Sequence, residues 1–220
     1  MMPRPSDPSK TREPLSRGRV LDVALTLADE IGLESLSMRR LGQELGVQAM
    51  SLYKHVSNKD AILDGIVERV AAEIDWTWQG DDWRASMRKR AQSAHRVLMA
   101  HPWATMLIVS RANVGPAMLS YVDRTIGCLR AAGFSYAMAD HAWNAIDAHV
   151  YGLTLQRLNF PFEPEQYAEV AKAYLPSIPE DQYPHLVGLT REVISGRHNG
   201  IQELEFGLDL ILDGLGKMRD

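Results

Sequence analysis

Gly46 stands between two short runs whose apolar residues fall at helical spacing, and no other feature constrains the fold of this chain so tightly. On its N-terminal side Leu41 and Leu45 lie four apart, so both point inward, and Ser37 is placed to cap that first helix. A helix that must stop and turn sharply favours a left-handed residue at its end, where glycine meets no Cβ penalty. Beyond the turn, Val47, Leu52 and Val56 supply the inward side of a second helix. Ala49, Met50, Ser51, Tyr53, Lys54 and His55 are left with no core to fill. An outward face of small, apolar, hydroxyl and cationic groups suits a helix lying in the major groove of DNA.

The charge balance narrows how such a contact would work. The 220-residue chain has a formal net charge of −4, which excludes a generally basic nucleic-acid coat. Residues 1–60 hold nine Lys and Arg against eight Asp and Glu, and the remainder hold fifteen against twenty. Any DNA contact is therefore local and shaped. Length and a hydrophobic content of 45% allow one larger domain or two small ones with packed cores. A single cysteine, Cys128, forms no intramolecular disulfide and fits a reducing compartment. There is no secretory apolar segment at the N-terminus and no apolar run of bilayer length. A soluble cytoplasmic protein with no membrane partner is expected.

Taken in order, residues 1–15 are rich in Pro, Ser and charge and read as a disordered arm. Arg4, Lys10 and Arg12 make it either a solvated leader or a DNA-reaching arm. Val20, Val23, Ala24, Leu27, Ala28 and Ile31 follow helical spacing until Gly32. Ser57-Asn58-Lys59-Asp60 matches a capping box that opens a helix to about residue 75. The expected division is an arm at 1–15, a helix-turn-helix domain at 16–75 and a helical domain at 76–220. In the latter, helices are expected at about 83–100, 103–112, 115–132, 136–159 and 201–217, with shorter ones between 165 and 195. No alternating strand pattern competes, so the fold class is all-α.

Two of these helices are apolar on more than one side. Leu204, Leu208, Ile211, Leu212 and Leu215 form one stripe of the last helix, while Phe206 and Leu210 lie on another. On the helix at 136–159, Ala142, Ala145, Ala148 and Gly152 permit close approach beside Trp143, Ile146, Val150 and Leu153. Either both helices are central in their own domain, or they pair with a second copy as a homodimeric four-helix bundle. The second reading places two reading helices about one DNA turn apart, matching a palindromic operator.

Arg39-Arg40-Leu41-Gly42-Gln43-Glu44-Leu45-Gly46-Val47, then Leu52-Tyr53-Lys54-His55-Val56 and Asn58-Lys59, resemble the tetracycline-repressor (TetR) family of transcriptional regulators. The resemblance runs from about Arg17 to Ile74. Trp83 and the ending Glu205-Phe206-Gly207-Leu208-Asp209-Leu210-Ile211-Leu212-Asp213-Gly214-Leu215 extend it to a ligand-binding and dimerisation domain. It implies DNA contacts by Ser37, Met38, Arg39, Gln48, Ala49, Met50, Ser51, Tyr53, Lys54, His55 and Lys59. Among these, Arg39 resembles a guanine-reading arginine, and Ala49 and Met50 stand where base edges are met. Ser51, Tyr53, His55 and Lys59 resemble the phosphate-contacting set, and packing against the next helix is a further role for Tyr53 and His55. Lys54 replaces the founder's tryptophan.

For the effector, the positions where the founding repressor uses histidines to hold a magnesium–drug chelate fall here at Asp75 and Leu107, and Ser110 replaces a threonine. The resemblance thus implies a largely apolar small molecule and no metal or cofactor. Trp103, Met106, Leu107, Ser110, Trp143, Asn144, Asp147 and Tyr151 are the candidate ligand-binding residues. Their alternative role is to satisfy one another in the core. The histidines show no H-E-x-x-H pattern, and there is no P-loop or G-x-S-x-G, so an enzyme is not expected. The expected function is a regulator, more specifically a repressor, released from its operator by the small molecule. The alternatives are a helical small-molecule-binding protein or carrier without regulated DNA release, and a ligand-independent architectural DNA binder.

Overall fold

A computed structural model describes residues 14–78, 80, 82–200 and 203–218. The expected arm lies outside the described residues up to residue 13, as does Ile201 at the expected start of the last helix. Among the described residues there are eleven α-helices and no strand, in keeping with the all-α expectation. They are α1 (Arg17–Ser35), α2 (Met38–Leu45), α3 (Ala49–Leu52), α4 (Lys59–Glu73), α5 (Trp83–Ala100) and α6 (Ala104–Ser110). They continue with α7 (Pro116–Ala131), α8 (Tyr136–Leu158), α9 (Tyr167–Tyr174), α10 (Pro184–Ile194) and α11 (Leu204–Gly216). None of the described helices is long and apolar enough to cross a membrane.

The helices gather into two compact units. The first runs up to Ile74 and is completed by Ala100–Val122; the second comprises Asp75–Met99 and the chain from Asp123 onward. The chain therefore leaves the first unit next to the 75/76 boundary read from the sequence and later returns to it.

In the first unit, α1 starts where the Ser16 hydroxyl accepts a hydrogen bond from the Arg19 N–H at 3.2 Å. Its regular part ends at Gly32, which has φ 75°. Val20, Ala24, Leu27, Leu41, Leu52, Ile62, Ile66 and Val70 are at most 1% exposed and form its core. Burial of each such aliphatic side chain contributes ~1.5–3 kcal/mol, alanine less. The cap of α4 differs from the expected box. Asn58, not Ser57, accepts from the backbone, with Oδ1 at 2.8 Å from the Ala61 N. An asparagine at this position reaches the third helical N–H as well as serine does.

In the second unit, Met87, Ala91, Leu98, Leu129, Phe134, Ile146, Leu208 and Leu212 are buried. Trp83 meets Phe134 edge-on, with ring centroids 4.9 Å apart. α9 buries no residue and α10 buries only Val187 and Val193, so this part of the unit has a thin core. Helices α8 and α11 lie side by side, tied where the His149 Nε2–H meets the Leu204 carbonyl at 2.9 Å.

Candidate nucleic-acid interface and effector site

The turn between α2 and α3 is built as its glycine requires. Gly46 sits at φ 66°, ψ 35°, and donates to the Gln43 carbonyl, while Val47 N–H reaches the Gly42 carbonyl at 2.8 Å. These paired bonds satisfy the last carbonyls of α2 and fix the angle at which α3 leaves. At the other end of α2 the Ser37 hydroxyl accepts from the Arg40 N–H at 3.2 Å. The regular part of α3 is a single turn, shorter than the reach from Val47 to Val56 suggests. Its last turn tightens because the Leu52 carbonyl accepts from both His55 and Val56 N–H groups.

This geometry divides the side chains as the periodicity implies. Leu52 and Val56 are buried, whereas Met50 is 73% and Tyr53 is 47% exposed. Ser37, Arg39, Gln48, Lys54 and Lys59 are also exposed, and Met38, Ala49, Ser51 and His55 are half-buried. None of the eleven candidate DNA contacts is fully buried. Lys59 has a second task, since its ammonium donates to the Leu33 carbonyl at 3.3 Å near the end of α1.

The first turns of α1 and α2 carry Arg17, Arg19, Arg39 and Arg40 and no acidic residue. A cation at a helix N-terminus opposes the helix dipole by ~0.3–1 kcal/mol. Arg40 is offset on its own helix by Glu44 at 3.6 Å. A phosphate placed over these termini relieves the conflict, which a solvated face does not.

The eight candidate effector residues fall into two groups of four. Trp103, Met106, Leu107 and Ser110 belong to the first unit, and Trp143, Asn144, Asp147 and Tyr151 to the second. In the first group, Trp103 is buried and its indole N–H donates to Asp29 at 2.7 Å. Met106 and Ser110 are exposed and Leu107 is half-buried. The Ser110 hydroxyl turns back to the Met106 carbonyl at 2.6 Å.

In the second group, Asp147 is the centre. One carboxylate oxygen accepts from the Trp143 indole at 2.6 Å and the Tyr151 hydroxyl at 3.2 Å. The other pairs at 2.8 Å with Arg90, whose side chain is 0% exposed. Asn144 does not join them; it is exposed and bonds Asp140 one turn back. Arg90 is absent from the sequence-based set. Its signal was available, because it lies at helical spacing among Met87, Ala91 and Ala94, and an arginine on a buried stripe demands a partner.

A second unforeseen cluster belongs to the first unit. His101 Nδ1 lies 2.9 Å from Asp29 and Nε2 lies 3.1 Å from Glu73. Burial, the largest single influence, works against charging this imidazole. Hydrogen bonds and attraction from the two carboxylates together outweigh it and hold its pKa above the ordinary value. Elsewhere on the second unit, a cavity of about 620 Å³ is lined by His149, Arg197, His198, Glu203 and Phe206 among others. None of those belongs to the expected effector set.

Comparison with known proteins agrees with an all-α fold that carries a helix-turn-helix. Residues 20–66 match the model for bacterial regulatory proteins of the tetR family, and residues 78–219 match the tetracyclin repressor-like C-terminal domain. An HTH-type transcriptional regulator of Saccharopolyspora erythraea is 33% identical over 186 residues, covering 84% of this chain and 79% of that protein. The tetracycline repressor protein class C of Escherichia coli is 32% identical, with 93% and 92% covered. Among solved structures, Streptomyces coelicolor ActR in complex with actinorhodin superimposes with a TM-score of 0.81 at 28% identity, covering 94% of this chain and 98% of that one. The carrier alternative is not favoured by these relatives, which are regulators. With a reading head and a helical second domain both matched along their length, the chain belongs to the TetR family of ligand-responsive, DNA-binding transcriptional regulators.

Proposed function

We propose that this regulator is a repressor that binds a palindromic operator as a homodimer and is released by a largely apolar small molecule. The observation that carries the reading is the solvent-facing side of α3. Met50, Tyr53 and Lys54 project from a turn anchored by the fully buried Leu52. Apolar Met50 and half-buried Ala49 suit thymine methyl groups and groove shape, while Arg39 suits a guanine edge. Ser37, Met38, Gln48, Ser51, Tyr53, Lys54, His55 and Lys59 complete the footprint, chiefly through phosphates.

The dimer is proposed to form through α8 and α11. Ala145, Ala148 and Gly152 are exposed on α8, and Phe206 and Leu210 are 72% and 63% exposed on the adjacent α11. Twofold pairing of these faces covers apolar surface that the single chain leaves in water. For the effector, Trp143 and Tyr151 beside Asp147 support a largely apolar, aromatic ligand, with Asn144 on the same helix and Trp103, Met106, Leu107 and Ser110 of the first unit as the remaining candidates. Relatives support a small-molecule effector: ActR is solved with actinorhodin and with (S)-DNPA. By linkage, the effector releases DNA only if it prefers the conformation that binds DNA less well.

The test is selection of duplexes from a random library by the wild-type protein, followed by footprinting. A palindromic protected site is expected, with duplex affinity reduced ~5–150-fold in Arg39→Ala and Tyr53→Ala proteins that keep wild-type unfolding temperatures. Unchanged affinity in both would refute the assigned reading surface.

A further inference from the structure

Sulfur is distributed unevenly between the interior and the surface of this chain. Its one thiol, Cys128, is 1% exposed, and burial above all holds its pKa over the ordinary value, so it stays protonated and shielded. Among the described methionines, Met87 is fully buried, Met118 is 8% exposed, and Met38, Met99 and Met138 are half-buried. Three more are exposed: Met50 at 73%, Met218 at 60% and Met106 at 55%. The most open sulfur-bearing side chain among the described residues thus stands in the middle of the reading face.

The fold holds it there. Met50 is the second residue of α3, a helix whose approach is fixed by the left-handed turn at Gly46. Leu52, two residues on and therefore about 200° round the helix, is 0% exposed and anchors the opposite side. A thioether is apolar and adaptable enough to fit a groove lined by thymine methyl groups. The same sulfur is open to two-electron oxidants. When it attacks hydrogen peroxide, an S–O bond forms as the O–O bond breaks; the thioether is oxidised to a sulfoxide and the peroxide is reduced to water. The product carries an acceptor oxygen that an apolar contact leaves without a donor.

We propose that Met50 is a reversible oxidation site on the reading face, where a peroxide-class oxidant converts the thioether to a sulfoxide and lowers operator affinity. The proposal rests on the DNA-reading function proposed above and adds a chemical input separate from the small-molecule effector. A duplex lying over α3 covers Met50, so the DNA-free protein is the reactive form. A homodimer carries the site on both heads. Methionine sulfoxide reductases return the sulfoxide to the thioether, which makes the modification a switch and not a lesion.

The experiment treats the full-length protein with hydrogen peroxide, follows each methionine by peptide mass, and measures affinity for a duplex selected from a random library. Met50 is expected to oxidise ahead of Met218 and Met106, in the order of their exposure. Affinity should fall ~5–150-fold as Met50 sulfoxide accumulates, the effect of stranding one polar oxygen in an apolar contact. Bound duplex should slow oxidation of Met50 and leave Met218 unaffected, and methionine sulfoxide reductase should restore the affinity. The unfolding temperature should not move, because Met50 lies outside the core. Met218→Leu should keep the sensitivity to peroxide, and Met50→Leu, whatever its own affinity, should lose it. Should Met50→Leu bind too weakly to measure, recovery of wild-type affinity in step with reduction of Met50 decides the same point. A fall that persists in Met50→Leu, full conversion of Met50 without a fall, or oxidation of Met218 and Met106 with Met50 spared overturns the proposal. Failure to select any duplex overturns the DNA-reading function, and the proposal with it.

Discussion

Gly42 lies beneath the Val47 carbonyl so closely that a Cβ on it would stand 2.9 Å from that oxygen and 3.1 Å from the Ala49 nitrogen. Both of those atoms are backbone, so no side-chain rotation relieves the overlap. Gly42→Ala therefore has to push α2 away from the start of α3. We expect a loss of ~1–3 kcal/mol in urea unfolding and a loss of sequence-specific DNA binding larger than that destabilisation explains. Gly46→Ala, which strains the left-handed turn at φ 66°, should lose ~1 kcal/mol and retain part of the binding.

His101 gives the protein a pH-dependent tie. Both ring nitrogens face carboxylates, and only the imidazolium donates to both at once. Because its folded pKa is raised above 6.5, its contribution is fully present below pH 6.5 and is lost as pH rises through the folded value. The unfolding temperature of wild type should therefore fall across that window more than that of His101→Gln. Parallel pH profiles for the two proteins would show that the imidazole is not the titrating group.

Asp147 and Arg90 form a pair at 2.8 Å with side chains 8% and 0% exposed. Removing one member strands the other's charge in the core, so Asp147→Ala should lose ~3–5 kcal/mol of stability in chemical denaturation. Replacing both by apolar residues of similar volume, as in Arg90→Met with Asp147→Leu, should recover much of that loss. If the cluster also holds the effector, the recovered double variant should fold, bind DNA and fail to respond to inducing compounds.

The exposed apolar face of α8 and α11 is checked by charge. Phe206→Glu together with Leu210→Glu places two carboxylates where we expect the twofold contact, and should give monomers in sedimentation at micromolar concentration. The far-ultraviolet dichroism should be unchanged, because neither side chain belongs to the core of the single chain. Duplex affinity should drop with the dimer, since half-site spacing needs two heads.

Much of the reading head was legible because its signals are local. Ser37, Leu41, Leu45 and Gly46 lie within ten residues, and capping, spacing and φ > 0 all concern neighbours in the chain. Helices α5 to α8 and α11 were legible to within three residues at each end for the same reason, whereas α9 and α10 were read only as shorter helices between 165 and 195. What periodicity could not convey was pairing across the sequence. Trp103, Met106, Leu107 and Ser110 were grouped with Trp143, Asn144, Asp147 and Tyr151, yet the two sets belong to different compact units. Nothing in the neighbouring sequence marks Glu68 of α4 as the cap of another helix, a role made possible by the distant Gly115. The cap of α4 shows a smaller ambiguity, since Ser57 and Asn58 are both good caps and local chemistry does not choose between them.

The first unit is interrupted in sequence. It is opened by α1–α4 and closed only when Ala100–Val122 returns to it. A ribosome making this chain in order thus cannot finish the DNA-reading head until α5, α6 and the first part of α7 have been synthesised. Until then, Asp29, Glu73 and Glu68 have no partners from the returning segment, and the nascent head remains incomplete. A fragment ending near residue 75, the natural place to cut by inspection, would share that defect. The reading head of this regulator is thereby made only in chains that have also begun the domain meant to control it.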